Sequence, residues 1–203
     1  IANAISVTEL SERVTELIQK TFHYYYVAIF TVQDNSSSLR FRASAMPKGS
    51  RKGRRKRVAL EVEIGQGLVG QAAAGGERIL VPDVQKDERY RFIDALAETR
   101  SEVVIPLKIE GRVLGVLDVQ SDRVNAFHPN DLLILEALAD TIARALEGAR
   151  LYSDLRRRAN QLTLIAEVSK SVSSSLDLNT LMENVASLIH DRFGYPHVNL
   201  FTV

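Results

Sequence analysis

The sequence has no cysteine, no tryptophan, only five prolines in 203 residues, and a formal net charge of just +1. Each shortage excludes something. Without cysteine there is no disulfide scaffold, thiolate metal cage, thiol nucleophile or thioether-linked chromophore, and a reducing compartment fits that usage. Apolar runs such as Val103–Leu107 and Leu132–Leu135 fall far short of the ~20 residues of a membrane helix. The opening stretch, IANAISVTELSERV, lacks both the basic and the apolar part of a signal peptide and has no initiator Met. The expectation is a cytoplasmic piece of a longer protein, with no membrane contact in this segment. At 45% hydrophobic and 25% charged residues, the composition is that of an ordinary folded chain. The length allows one domain and part of another.

The near-zero net charge conceals a split. Seven of the 26 basic residues lie between Lys48 and Arg57 with no acid among them, and the rest of the chain is net acidic. Such a loop either binds a polyanion or is a solvated hairpin loop. No aromatics interleave the charges and no nucleic-acid motif accompanies them, so a nucleic-acid partner is not expected. The four histidines, His23, His128, His190 and His197, show no metal-ligand spacing. None falls within 129–172, which excludes a phosphoacceptor helix there. The motif G-x-S-x-G is absent.

What is present is a repeat. Residues 6–32 align without gaps on 177–203, and eleven of the 27 positions are identical, including Leu10/Leu181, Leu17/Leu188, Phe22/Phe193 and Phe30/Phe201. Each copy reads as an amphipathic helix followed by a strand, with Ser6 and Asp177 at the N-caps and Leu10, Val14, Leu17 and Ile18 as a buried stripe. The pattern predicts one complete unit and the start of a second.

Between the copies the chain reads as α+β. Strands are expected at 27–33, 38–45, 58–64, 78–84, 101–109 and 112–120, with the last two joined by Glu110-Gly111, a strong hairpin signal. Gly65-Gln66-Gly67-Leu68-Val69-Gly70 matches G-x-G-x-x-G. The preceding strand alternates with Glu61 and Glu63, and the following helix is too short for a crossover, so a dinucleotide fold is excluded. The glycines instead lead tightly into a short helix. The segment Asp83–Glu102 is either a ligand lid or a short helix over the core, near 91–99. From Pro129 to Val172 the chain is helical, and Leu135, Leu138, Ile142, Ala145, Ala149 and Tyr152 mark a heptad seam that shifts frame near Arg156. A homodimer through residues 129–172 is expected.

Taken in order, several of these segments resemble the GAF domain family of sensory modules. They are Gly65-x-Gly67-Leu68-Val69-Gly70 with Ala72–Ala74, Val81-Pro82-Asp83-Val84, Glu98–Leu107, Gly111-x-Val113-Leu114-Gly115-Val116-Leu117-Asp118 and Phe127-x-x-x-Asp131-Leu132. The resemblance covers 6–152, whose last helix begins near 129; 153–175 reads as a helical linker, and 177–203 resembles the first helix and strand of another GAF domain. It implies a six-stranded antiparallel sheet with helices on one face and ligand-enclosing loops on the other. It also implies a regulatory module that binds a small molecule of unknown identity and signals to an output domain, of histidine kinase or diguanylate cyclase type. The alternative is a ligand-free dimerisation module. By analogy the ligand-binding residues are Phe30, Phe41, Val69, Tyr90, Phe92, Arg100 and Glu102. Cyclic-nucleotide-binding members carry an Asn-Lys pair and Phe-x-x-x-Asp-Glu, whereas here Ala126 follows Asn125 and Leu132 follows Asp131. Bilin-tethering and sulfoxide-reducing members use cysteine, so no catalytic residue, no metal and no enzymatic activity are expected. A carboxylate pair, Glu98 with Glu102, is the residual route to catalysis.

Overall fold

In the computed structural model, which describes residues 6–33, 36–47, 61–174 and 178–201, Ser6 caps helix α1 (Val7–Phe22). Its hydroxyl accepts the Glu9 N–H at 3.1 Å, satisfying one of the donors that a helix start leaves open. The buried face of α1 is rotated from the expected stripe. Ser11, Thr15 and Ile18 are buried, Leu10 and Val14 are half-buried, and Leu17 is 66% exposed. The two hydroxyls can be buried because each bonds back to its own helix, Ser11 to the Val7 carbonyl and Thr15 to the Ser11 carbonyl. The basic loop 48–57, positions 58–60 of one expected strand, the Asp34-Asn35 turn, Asp177 and residues 202–203 lie outside the described residues.

Strands β1 (Tyr26–Val32), β2 (Ser38–Ala45), β3 (Glu61–Glu63), β4 (Ile79–Val81), β5 (Ser101–Ile109) and β6 (Arg112–Ser121) form one sheet in the order β3-β2-β1-β6-β5-β4. Every neighbouring pair is antiparallel. Helix α2 (Gly67–Gly75) lies between β3 and β4 in the chain. The β5–β6 turn puts Glu110 and Gly111 at φ 49° and 82°, the two positive values that a two-residue hairpin turn matching strand twist demands.

The central strands are covered on both faces. Because side chains alternate along a strand, Val27, Ile29, Val103, Ile105, Leu117 and Val119 meet α1 and the start of helix α3 (Pro129–Ser174). Tyr26, Ala28, Phe30, Val104 and Val116 meet Leu68 and Ala72 of α2 and the loop residues Val84 and Leu96. Asp131 closes the start of α3 by accepting the His128 N–H at 2.9 Å.

Leu132, Leu135, Ala139, Ile142, Ala143 and Leu146 pack into the domain's own core. Leu135 and Ile142 of the expected seam are therefore not free to face a second chain. Apolar side chains emerge further along α3, at Leu151, Leu155, Leu162 and Ile165.

The chain divides into two units between Leu151 and Tyr152. In the second, helix α4 (Leu178–Phe193) has 16 residues, like α1. Both helices end on a left-handed residue at the same repeat position, His23 at φ 56° and Gly194 at φ 67°. The N–H of each returns 2.8 Å to the carbonyl four residues back, of Gln19 and His190. The Gln19 amide donates to the Tyr24 carbonyl at 3.2 Å, and the His190 ring lies 2.6 Å from the Tyr195 carbonyl. The rings Phe22–Tyr24 and Phe193–Tyr195 sit 5.7 and 5.8 Å apart. The expected second strand differs: residues 198–201 form none. A strand is held by its neighbour's ladder, and no strand is formed by the described residues of this unit.

Candidate functional site

The face of the sheet away from α1 and α3 carries a cavity of about 500 Å³. Its floor follows from register. Tyr26 pairs with Gln120 and Gln120 with Glu102, a row running across β1, β6 and β5. Asp118 stands two residues along β6 on the same face, diagonal to Glu102, within reach of a long side chain. Leu68, Val69, Ile93 and Leu96 supply apolar walls, and β3 places Glu61 and Glu63 among the lining residues.

The glycine motif positions one wall. The Gly65 N–H donates to the Gly70 carbonyl at 2.8 Å and the Gly70 N–H to the Gln66 carbonyl at 3.1 Å. A Cβ on Gly70 would collide with the Glu63 carbonyl oxygen, so only glycine lets α2 begin directly against β3.

Glu102 and Asp118 are 3% and 2% exposed, a rare position for acids. The Thr99 hydroxyl donates to Gln120 Oε1 at 2.7 Å, and Gln120 Nε2 donates to Asp118 Oδ2 at 2.9 Å. That chain fixes the amide and leaves Asp118 Oδ1 buried without a partner among the described residues. Burial, then the neighbouring Asp118, then Asp87 push the Glu102 carboxyl well above the usual carboxylate range. Burial also raises Asp118, opposed by the Gln120 hydrogen bond. Two acids so placed hold a proton at pH values where an exposed pair would both be ionised.

Of the residues expected from sequence, Phe30, Val69, Tyr90, Phe92 and Glu102 line this cavity. Phe41 does not: it stands behind Phe30, edge to face at 5.6 Å. Arg100 does not either; its N–H donates to the Ser121 carbonyl and its carbonyl accepts from Val84, tying the loop to the end of β6. Glu98 is exposed and acts on Tyr25, so the acid paired with Glu102 is Asp118. The segment 83–102 contains 3-10 turns at Val84–Lys86 and Asp94–Leu96 instead of a helix over 91–99, and it contributes Tyr90, Arg91, Phe92, Ile93 and Leu96 to the lining. Asp118, Gln120 and Tyr26 were missed from sequence. The alternation of Asp118 and Gln120 in RVLGVLDVQ, with polar residues two apart on one strand face, was the available signal.

Among the described residues no group of three or more His, Asp or Glu side chains is disposed to hold a metal. No helix there is long and apolar enough to cross a membrane.

Comparison with known proteins agrees with this architecture. The structure of free methionine-R-sulfoxide reductase from Neisseria meningitidis in complex with its substrate superposes with a TM-score of 0.63 at 26% identity, covering 74% of this chain and 84% of that one. GAF domain-containing protein A of Dictyostelium discoideum is 30% identical over 118 residues, 58% of this chain and 67% of its own length. Free methionine-R-sulfoxide reductase of Saccharomyces cerevisiae is 35% identical over 85 residues, 41% of this chain and 46% of its own. The chain spans about half the length of several curated relatives it matches. These reductases overturn the expectation that the chain is not an enzyme. That expectation rested on the missing cysteine, which removes thiol chemistry from these side chains but does not separate the chain from relatives that are enzymes. The GAF domain model matches residues 4–147, the six strands form the single antiparallel sheet that the resemblance implies, and the chain belongs to the GAF domain family.

Proposed function

We propose that this GAF domain is a regulatory module whose cavity binds a small molecule and whose helix α3 carries the signal, in a dimer, to an output domain of histidine kinase or diguanylate cyclase type. The observation that carries this reading is the cavity itself: about 500 Å³, with a buried carboxylate oxygen on its floor that no side chain among the described residues satisfies. An orphaned buried acceptor costs free energy that the fold alone does not return, and a ligand donor offsets it. The volume lies in the range of small-molecule sites.

Two further features support the arrangement. The 16-residue helices α1 and α4, with matching C-terminal caps and ring pairs 171 positions apart, fit a tandem array in which a second GAF unit begins at 177. Leu151, Leu155, Leu162 and Ile165 are exposed on α3 at spacings of 4, 7 and 3, a seam suited to the same helix of a second chain. Signal transmission and sulfoxide turnover, the activity named for the reductase relatives, both require an occupied cavity. Native mass spectrometry of the purified chain tests it. A small molecule retained on the folded protein and released on unfolding is expected. A bare dimer would favour the alternative, a ligand-free dimerisation module.

A further inference from the structure

Resting on the reading of the cavity as a ligand site and deepening it, we propose that Arg91 and Gln66 form a latch at the cavity rim, whose release admits and discharges the ligand. The loop that carries Arg91 is built as a strap. Its ends meet at the base, where the Val84 N–H donates to the Arg100 carbonyl at 2.9 Å. The Arg100 N–H ties that base to β6 through the Ser121 carbonyl at 2.8 Å, and the Thr99 hydroxyl adds its bond to Gln120 at 2.7 Å. Leu96, 2% exposed, sinks the returning arm into the core. A loop closed at its base can hinge without disturbing the sheet beneath it.

Beyond the base, the backbone gives the strap little hold on the rest of the domain. Among the described residues its hydrogen bonds run from the N–H of Lys86 to Asp83, Asp87 to Val84, Tyr90 to Asp87 and Leu96 to Ile93, all within the loop. The ion pair of Arg89 with Asp87, at 2.6 Å, is internal as well. A segment without main-chain bonds to its neighbours opens at low cost. Side chains fasten it instead: Tyr90 and Ile93 are half-buried against the core on the cavity side, while Phe92 stands exposed.

Arg91 crosses to the wall built by β3 and α2. Its stem lies over Gly67, with Cδ 3.5 Å from where a Cβ would stand, and its Nη2 donates to Gln66 Oε1 at 3.1 Å. Glu63 aims the receiving amide. Gln66 Nε2 donates to the Glu63 carboxylate, so the amide turns its oxygen, the one acceptor it has, toward the guanidinium. Glu63, Gln66 and Arg91 are all exposed lining residues, which places this relay at the rim and not on the floor. Gln66 stands at the N-cap of α2, yet its side chain makes no cap hydrogen bond. The amide therefore serves the relay and not the helix.

A latch must be weak enough to release. One exposed hydrogen bond holds the strap down without locking it, and loop motion supplies the opening. Entry and exit cross the same barrier, so the relay governs how fast a ligand exchanges and leaves its affinity nearly unchanged.

The chain has no cysteine, so a single introduced thiol reports the opening without any ligand. Leu68→Cys sets it on the cavity wall at a position 4% exposed, and Val69→Cys beside it is a second reporter. Leu135→Cys sets it in the core on the opposite face of the sheet, where global unfolding alone reveals it. Each thiol is alkylated with N-ethylmaleimide in the full chain and followed by mass spectrometry. Arg91→Ala and Gln66→Ala are each expected to speed labelling at the wall about 2- to 10-fold. Together they are expected to do no more than either alone, because both break one bond. Labelling of the Leu135→Cys thiol is expected to stay the same throughout. Unchanged labelling at both wall positions, additive effects of the two substitutions, or equal acceleration in the distant core would each overturn the latch. The ligand-binding reading is judged separately, by native mass spectrometry, and survives each of those results.

Discussion

At the scale of single residues, the site trades stability for readiness. Glu102 and Asp118 are ionised less readily in the folded chain than in the unfolded one, because burial raises both. The sign follows from proton counting: the native state holds more protons, so stability present below the ordinary carboxylate range near pH 4 is lost as pH rises through the raised values. Glu102→Gln removes that loss. Its melting temperature is expected to equal that of the parent near pH 4 and exceed it near pH 8, as scanning calorimetry at both pH values would record. A lower melting temperature for the variant at the higher pH would contradict the burial account. Gly70 gives a prediction of opposite sign. Its missing Cβ accommodates the Glu63 carbonyl, so Gly70→Ala forces α2 off β3 and is expected to cost about 1–3 kcal/mol in urea unfolding.

At the scale of elements, caps and seams decide. Ser6 holds the Glu9 N–H at the start of α1, and Ser6→Ala is expected to cost about 1 kcal/mol by chemical denaturation. On α3, Leu155→Asp with Leu162→Asp removes the exposed seam without touching the buried residues up to Leu146. Sedimentation is expected to show a dimer for the parent chain and a monomer for the double variant, with unchanged thermal stability of the first unit. Much of this level was legible in the sequence: Ser6, Glu110-Gly111 and the glycine motif each act within a few residues of chain, where spacing dictates geometry. The face of α1 was misread because Ser11 and Thr15, polar by type, satisfy their hydroxyls on their own helix and go inside, displacing Leu17 to solvent. Glu102 was readable but its partner was not. Asp118 joins it only through the β5–β6 register, and pairing across strands leaves no mark at fixed separation along the chain. The seam was half misplaced for the same reason, since Leu135 and Ile142 satisfy a heptad and a sheet-facing stripe equally well.

At the scale of the molecule, the sheet separates two cores, one holding α1 and the start of α3, the other enclosing the cavity. The acidic floor makes the cavity a poor host for a cyclic phosphate, whatever purine it carries. Calorimetry with cyclic GMP and cyclic AMP at physiological salt is expected to give no micromolar affinity. The central claim is that a small molecule resides in this cavity beneath the Tyr90–Leu96 segment. Hydrogen exchange tests it most directly, comparing the chain as isolated with the same chain unfolded, dialysed and refolded. Removal of the ligand is expected to accelerate exchange within 61–70, 90–96, 101–103 and 117–121 and to leave the helices on the opposite face unchanged. Identical exchange before and after, or a change confined to α1 and α3, would contradict the account.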